Sequence, residues 1–305
     1  DIIHCHDWHT GLIRYFLRGR FKNDEFWNKT TIVYTIHNLV FQLGHNWWSI
    51  KNEDRDDGRS SLPSTDDPKL ENINFAKRGI LNADVINTVS ETYRDEILTK
   101  DFGEDLHRVL KNRESRVYGI VNGIDYNEYN PLLDPGLIKH YSDKSINYKK
   151  PNKEKLQKTL HLKIDNDIPI ICMTSRIAEQ KGFLLLMDIV KSLLRMNVQL
   201  VIMGDGDKTI INFFQKLNKK YPKKLTIIPF DEKMETLIYA GADMFVLPSR
   251  FEPCGINQMI ALRYGCIPIV HHIGGLADTI IDFSPNNKKG NGFTFKKYNS
   301  YDLLI

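Results

Sequence analysis

The chain has 305 residues, 41% of them apolar and 26% charged, with a net charge of +4, a balance that suits a water-soluble globular protein with room for two ordinary domains. No stretch is long and apolar enough to cross a membrane, and the cations, thickest at 139–158 and 216–224, form no continuous basic face of the kind nucleic acid requires. Cys5, Cys172, Cys254 and Cys266 stand singly with no CxxC pair, which argues against zinc and against a secreted disulfide framework and fits a reducing cytoplasm.

The sequence opens inside a strand, DIIHC, with neither an initiator Met nor a signal peptide, and so reads as a piece of a longer chain. Strands are predicted at 2–5, 31–36, 85–89 and 117–121, with a helix after HDWHTG. Residues 50–72 are polar and rich in Asp, Ser and Pro, the composition of a surface loop or a mobile lid. A Lys- and Asn-rich stretch with three prolines, 130–166, is expected to hold the crossing between domains and the first helix of the second.

From 168 onward, short apolar runs (IPIICMT, VQLVIMG, KLTIIP, MFVLP, IPIV) alternate with helical periodicity at 182–194, 207–219, 232–242 and 256–265. Near-continuous apolar strands separated by amphipathic helices indicate a parallel sheet covered on both faces. The second half therefore reads as an α/β doubly wound domain. In such sheets ligands sit beyond the carboxyl ends of the strands, and that is where the chemically distinctive residues collect.

SRIAEQKG puts Arg176 and Lys181 between a strand and a helix start, where backbone donors already favour an anion; they suit a phosphate clamp and equally two solvated cations. MGDGD is too short for a dinucleotide fingerprint and is compatible with a plain tight turn. In HHIGGLADT the N–H groups of Gly274 and Gly275 suit phosphate oxygens or a simple strand-to-helix turn. His4, His6, His9 and Asp7 invite a metal, yet His9 belongs to the next element and no HExxH pattern supports zinc. Asp7 and Trp8 are residue types that meet sugar hydroxyls and ring faces, although Trp8 could equally be core. The absence of GxSxG removes a serine hydrolase.

Their order says more than any one of them. DIIHCHDWHTGL, YTIHNLVFQ, INTVSETYRDEI, IVNGIDYNEYNP, SRIAEQKGF, VIMGDGD, YAGADMFVLPSRFEPCGINQMIALRYG and IGGLADT together resemble the bacterial-type glycogen synthase and starch synthase family, with PSRFEPCG the most specific run. The resemblance covers nearly the whole chain. It implies the GT-B fold, two facing Rossmann-like doubly wound domains: an incomplete acceptor-side domain over 1–130 and a nucleotide-sugar-binding domain over 131–305. It also implies a retaining transfer of glucose from ADP-glucose, or UDP-glucose, to the non-reducing end of an α-1,4-glucan or maltooligosaccharide. No cofactor and no metal are expected, no nucleic-acid or membrane partner, and a cytoplasmic or, in a photosynthetic eukaryote, plastid location.

Carried over by position, the resemblance assigns Arg176 and Lys181 to the donor diphosphate, where fixed cations stabilise the leaving charge. Glu252 matches the glutamate that contacts the transferred glucose. Cys254, Gly255, Ile256 and Asn257 would line the donor pocket with Gly274 and Gly275, and Phe230 stands where the family has a tyrosine stacked on adenine. Asp7, Trp8, His37, Asn38 and Asn122 fall to the acceptor and glucose, with the His37 carbonyl near the anomeric carbon. The family's Lys-Thr-Gly-Gly-Leu segment and its final helices have no counterpart here, so the fragment is expected to be inactive or crippled. Ile260 replaces the second glutamate of sucrose- and mannose-type relatives, which favours glycogen and starch synthases. Two alternatives stay open: a related transferase with another sugar or acceptor, and a non-catalytic glucan- or nucleotide-binding module.

Overall fold

Parallel pairing governs both sheets of the computed structural model, which describes residues 1–43 and 49–305. The chain divides into two units, Asp1–Asn122 and Gly123–Ile305.

In the first unit the elements follow in the order β1 (Ile2–His6), α1 (Ile13–Arg20), α2 (Glu25–Lys29), β2 (Thr31–Ile36), α3 (Phe75–Asn82), β3 (Val85–Thr88), α4 (Glu91–Ile97), α5 (His107–Lys111) and β4 (Val117–Gly119). The strands form one sheet in sequence order, β1-β2-β3-β4. Ile32, Tyr34, Ile36, Ile86 and Val117 from the sheet pack with Ile80, Tyr93, Ile97 and Leu110 from the helices into one core. Asp24, Asn74 and Ser90 start α2, α3 and α4 by accepting backbone N–H groups with their side chains.

The polar stretch 50–72, expected as a loop or lid, is pinned at one point by a buried ion pair. Both oxygens of Asp56 receive the Arg78 guanidinium, at 2.8 and 2.6 Å, and the two side chains are 3% and 1% exposed. Arg78 also donates to Ser60 O at 2.8 Å, and Lys77 Nζ donates to Asp56 O at 2.7 Å. Composition could not reveal this, because the partner cation sits on α3, beyond the loop.

In the second unit α6 (Lys149–Thr159) leads into β5 (Ile170–Thr174), α7 (Phe183–Arg195), β6 (Gln199–Met203), α8 (Lys208–Lys220), β7 (Leu225–Ile228), α9 (Glu232–Gly241), β8 (Met244–Leu247), α10 (Asn257–Arg263), β9 (Ile267–His271), α11 (Gly274–Thr279), β10 (Phe293–Phe295) and α12 (Ser300–Leu304). The sheet order is β10-β9-β8-β5-β6-β7. Every residue of β5 and β6 is buried, as expected of strands covered on both faces. Phe183, Leu186, Ile189, Val190 and Leu194 of α7 recur at helical spacing on one face and join Ile210, Phe214 and Leu217 of α8 in the core. Asp207 caps α8 by accepting from Thr209 N at 2.7 Å and Ile210 N at 3.1 Å.

Residues 123–130, assigned above to the first domain, pack with the second unit. Arg263 Nε donates to Tyr129 O at 3.1 Å and its guanidinium lies 4.7 Å from the Tyr126 ring centre. Tyr141 OH donates to Tyr264 O, and Tyr264 OH to Asp134, both at 2.7 Å.

Replacing Asp56 with Ala leaves the Arg78 guanidinium buried without its counter-charge, a loss of about 3–5 kcal/mol for the first unit. Urea unfolding followed on the Tyr and Trp signal checks it, and a loss below about 1 kcal/mol, the worth of an exposed pair, would contradict the assignment.

Candidate active site

The strand order of the second sheet reverses at β5: the chain steps outward through β6 and β7, then returns to place β8, β9 and β10 on the other side. Beyond the carboxyl ends of strands at such a reversal lies the crevice in which open α/β sheets hold ligands. The loops leaving β5 and β8 carry Arg176–Lys181 and Pro248–Cys254, so sheet order brings together residues more than seventy positions apart in sequence.

Lys181 Nζ donates to Glu252 Oε2 at 2.6 Å, with side chains 18% and 7% exposed. Ser249 Oγ donates to the same oxygen at 2.9 Å. Both bonds fall on Oε2, so Oε1 has no hydrogen-bond partner among the described residues. Arg176, exposed at the rim, donates through Nη2 to Gln180 Oε1 at 3.0 Å. Gln180 ties the two loops by donating to Phe251 O at 3.2 Å and accepting at its backbone oxygen from Arg250 N at 2.8 Å.

Two glycines set how closely these loops approach. Gly182 has φ +81°, and a Cβ there would stand 1.9 Å from Pro248 O; only a residue without a side chain permits both the left-handed backbone and the contact. A Cβ on Gly275 would meet the Cys254 backbone at 2.4 Å. Gly275, expected with Gly274 to bind phosphate, packs α11 closely on the Glu252 loop, and its N–H is taken by Glu252 O at 3.1 Å.

Cys254 is buried at 4% exposure. Gly255, Ile256 and Asn257 lead into α10, and among the described residues none of their backbone N–H groups donates within the protein, as at any helix start. The Asn257 side chain turns back to donate to Thr174 O at 2.8 Å, the last residue of β5. Phe230 is 55% exposed, and its N–H donates to Asp205 at 3.2 Å, within the turn that the MGDGD glycines shape.

In the first unit the ends of β1 and β2 bring together Asp7, His37 and Asn38. Asp7 adopts φ +54°, a left-handed conformation that costs a non-glycine residue about 1–3 kcal/mol. It persists because Asp7 N donates to Thr35 O at 2.9 Å and Asp7 Oδ1 accepts from His37 N at 2.8 Å. The carboxylate thus holds the backbone of His37, while the rings of His37 and His6 share a hydrogen bond of 2.9 Å. His4 lies 4.2 Å from His6, ring to ring; burial, then the neighbouring His6 and His37, hold its pKa below the usual value.

Asn38 accepts from Val40 N at 3.1 Å in a local turn. Trp8 stacks on His9 at 4.0 Å and packs partly against the core, so part of its surface is structural. Asn122, just past β4, is joined to this group by no hydrogen bond among the described residues. His4, His6 and His9 do not form a metal-binding group with Asp7 among those residues.

Three residues escaped assignment from sequence. Ser249 and His271 were visible only as strand-end residues, and Gln180 as a polar position in a loop. Gln180 reaches Phe251 O and His271 reaches Ser249 O on other elements, which no local spacing encodes, whereas the Ser249–Glu252 bond lies within one loop, three residues apart.

Two family models match the chain: the starch synthase catalytic domain over residues 1–112 and glycosyl transferases group 1 over 154–304. The glycogen synthase of Thermosipho africanus is 45% identical over 305 residues, covering 100% of this chain and 62% of the relative. That of Clostridium novyi is 44% identical, with 64% of the relative covered. The chain therefore spans less than two thirds of the curated relatives it matches. The catalytic domain of starch synthase IV from Arabidopsis thaliana, solved bound to ADP and acarbose, superposes with a TM-score of 0.85 at 30% identity, covering 100% of this chain and 64% of that one. Sucrose-phosphate synthase from Thermosynechococcus elongatus shares the fold at TM-score 0.61 and 18% identity, over 99% of this chain and 62% of that one.

Burial lowers the pKa of His271 below its ordinary 6.5, against the opposing pull of the Ser249 and Lys296 carbonyls. The unfolded chain takes up this proton near 6.5 and the folded chain only at lower pH, so folding weakens as pH falls from about 6.5 and the loss levels off once the folded ring titrates. His271→Asn should flatten the wild-type decline in urea midpoint between about pH 6.5 and 5; parallel curves would refute it.

Proposed function

We propose that this chain, which belongs to the bacterial-type glycogen synthase and starch synthase family and has its GT-B fold, carries the site of a retaining α-1,4-glucan synthase that takes glucose from ADP-glucose and adds it to the non-reducing end of a glucan. The second unit is assigned the donor and the first the acceptor. The observation that carries the reading is the Glu252 carboxylate, buried at the β5/β8 reversal and held through one oxygen by Lys181 and Ser249, with Arg176 exposed on the same β5 loop as Lys181.

Breaking a glycosyl–phosphate bond leaves a multiply charged diphosphate while positive charge grows at the anomeric carbon. Arg176, exposed and reaching solvent, and Lys181, which has N–H groups to spare beyond its bond to Glu252, suit the diphosphate. With these two cations on the leaving group, the reading requires no metal or other cofactor. Oε1 of Glu252 is available to accept from a hydroxyl of the transferred glucose and fix the ring.

The N–H groups of Gly255, Ile256 and Asn257 suit the phosphates, with Cys254 forming the pocket wall beneath them and Gly274 and Gly275 shaping the turn into α11, where the Gly275 N–H is already taken by Glu252 O. The Phe230 ring, exposed beside the Gly204–Gly206 turn, suits the face of an adenine. On the acceptor side Asp7, Trp8, His37, Asn38 and Asn122 supply groups for glucosyl hydroxyls and ring faces, and the His37 carbonyl a partner for developing positive charge. The acarbose and ADP bound to the Arabidopsis starch synthase support both assignments. ADP-glucose in preference to UDP-glucose is the finer part of the proposal, as is a cytoplasmic setting. Among the described residues no helix is long and apolar enough to cross a membrane.

Transfer of radiolabelled glucose from ADP-glucose and from UDP-glucose to glycogen, by protein made from the complete reading frame, tests the reading. Label should enter glycogen from ADP-glucose; nucleotide release with no labelled glucan would overturn it. Lys181→Ala should lower kcat by about 100-fold or more, and near-normal turnover would remove its diphosphate role. Glu252→Ala should abolish transfer with the circular dichroism spectrum intact; a variant that still elongates maltooligosaccharide refutes the assignment of Glu252.

A further inference from the structure

His271 closes β9 and is 6% exposed, yet no step of the proposed transfer uses it. Its ring is held in a slot: Nδ1 lies 2.8 Å from Ser249 O, Nε2 lies 3.3 Å from Lys296 O, and Phe295 stacks on it at 5.2 Å between ring centres, with Tyr298 at 5.3 Å. Ser249 is itself fully buried, and its hydroxyl donates to Oε2 of Glu252. The imidazole is therefore one backbone position and one hydroxyl away from the carboxylate.

A carbonyl oxygen only accepts, so each ring nitrogen bonds its carbonyl only when it carries a hydrogen. A neutral imidazole carries one. Of the two contacts, that to Ser249 has ordinary hydrogen-bond length and that to Lys296 is long, which assigns the hydrogen to Nδ1. Burial, which disfavours the charged ring, keeps the histidine in this neutral form at pH 7.

We propose that His271, as its Nδ1–H tautomer, is a positioning residue for Glu252, acting through Ser249. Its N–H holds the Ser249 backbone where the chain leaves β8, and that fixes the Ser249 hydroxyl against Oε2 and leaves Oε1 directed at the sugar. The Lys181 bond alone leaves the carboxylate free to rotate about it. The second donor from Ser249, on the same oxygen, removes that freedom, and a site displaced by about 1 Å can lose about 100-fold in rate. The proposal rests on the donor-side role of Glu252 given above.

Two substitutions of similar size and polarity separate the N–H from the ring. His271→Asn puts an amide at the δ position, where it donates to Ser249 O; His271→Gln puts it at the ε position, toward Lys296 O. With the protein from its complete reading frame, ADP-glucose as donor and glycogen as acceptor, H271N should keep kcat within about threefold of wild type, whereas H271Q should lose about tenfold in kcat with the donor KM changed by less than about threefold. His271→Phe, which keeps the stacking on Phe295 and has no N–H, should match H271Q. Equal kcat in H271N and H271Q overturns the proposal, as does wild-type kcat in H271F; if H271F does not fold, the Asn and Gln pair decides alone. A wild-type protein that transfers no glucose from ADP-glucose would instead count against the donor-side reading itself, so the two failures are distinguishable.

Discussion

The ion pair between Lys181 and Glu252 is the contact on which the second unit's active loops depend. A carboxylate this buried needs a counter-charge, and the nearest cation in sequence, Arg250, points away to Glu179 at the surface. Lys181 reaches it because β8 is laid beside β5, and because Gly182 lets the β5 loop sit directly on Pro248 O. Sheet order, a glycine at positive φ and a buried charge are thus one arrangement: disturb any of them and the carboxylate loses either its partner or its place.

The same logic recurs in the first unit with different groups. Asp7 adopts a strained backbone, and its carboxylate compensates by holding the N–H of His37 on the adjacent strand. Strain persists only where surrounding structure enforces it, and here the enforcing bonds, Asp7 N to Thr35 O and His37 N to Asp7, cross from β1 to β2 at the strand ends. Each unit therefore presents a carboxylate tied to the loop of a neighbouring strand: Asp7 to His37 after β2, and Glu252 to Lys181 after β5, with Ser249 of its own loop as a second donor.

Much of this was legible in the residues. The apolar runs from 168 onward fell on β5 to β9 within a residue or two, because a strand buried on both faces must be apolar throughout, and the intervening helices show their period through Phe183, Leu186, Ile189 and Val190. Arg176, Lys181 and Glu252 could be singled out as strand-end polar residues in otherwise apolar surroundings. The short β10 and α12 were missed, since Phe293–Phe295 and Ser300–Leu304 are too brief to display a period. The 50–72 stretch was read as a surface loop or mobile lid because its composition is polar, and Asp56, whose side chain is buried, looks like the aspartates around it.

What the sequence by itself determined is the class of fold and the inventory of chemistry: which stretches are buried, where strands end, and which charged or glycine residues stand at those ends. These are local properties, carried by periodicity and residue type within a few positions. Only the tertiary structure decided which of them meet. That Lys181 shares an oxygen of Glu252 with Ser249, that His271 holds Ser249 from beneath, that Asp56 is paired with Arg78, and that residues 123–130 pack on α10 all follow from strand order and side-chain direction. Such pairings arise between segments far apart in the chain, where the composition around either partner carries no record of the other.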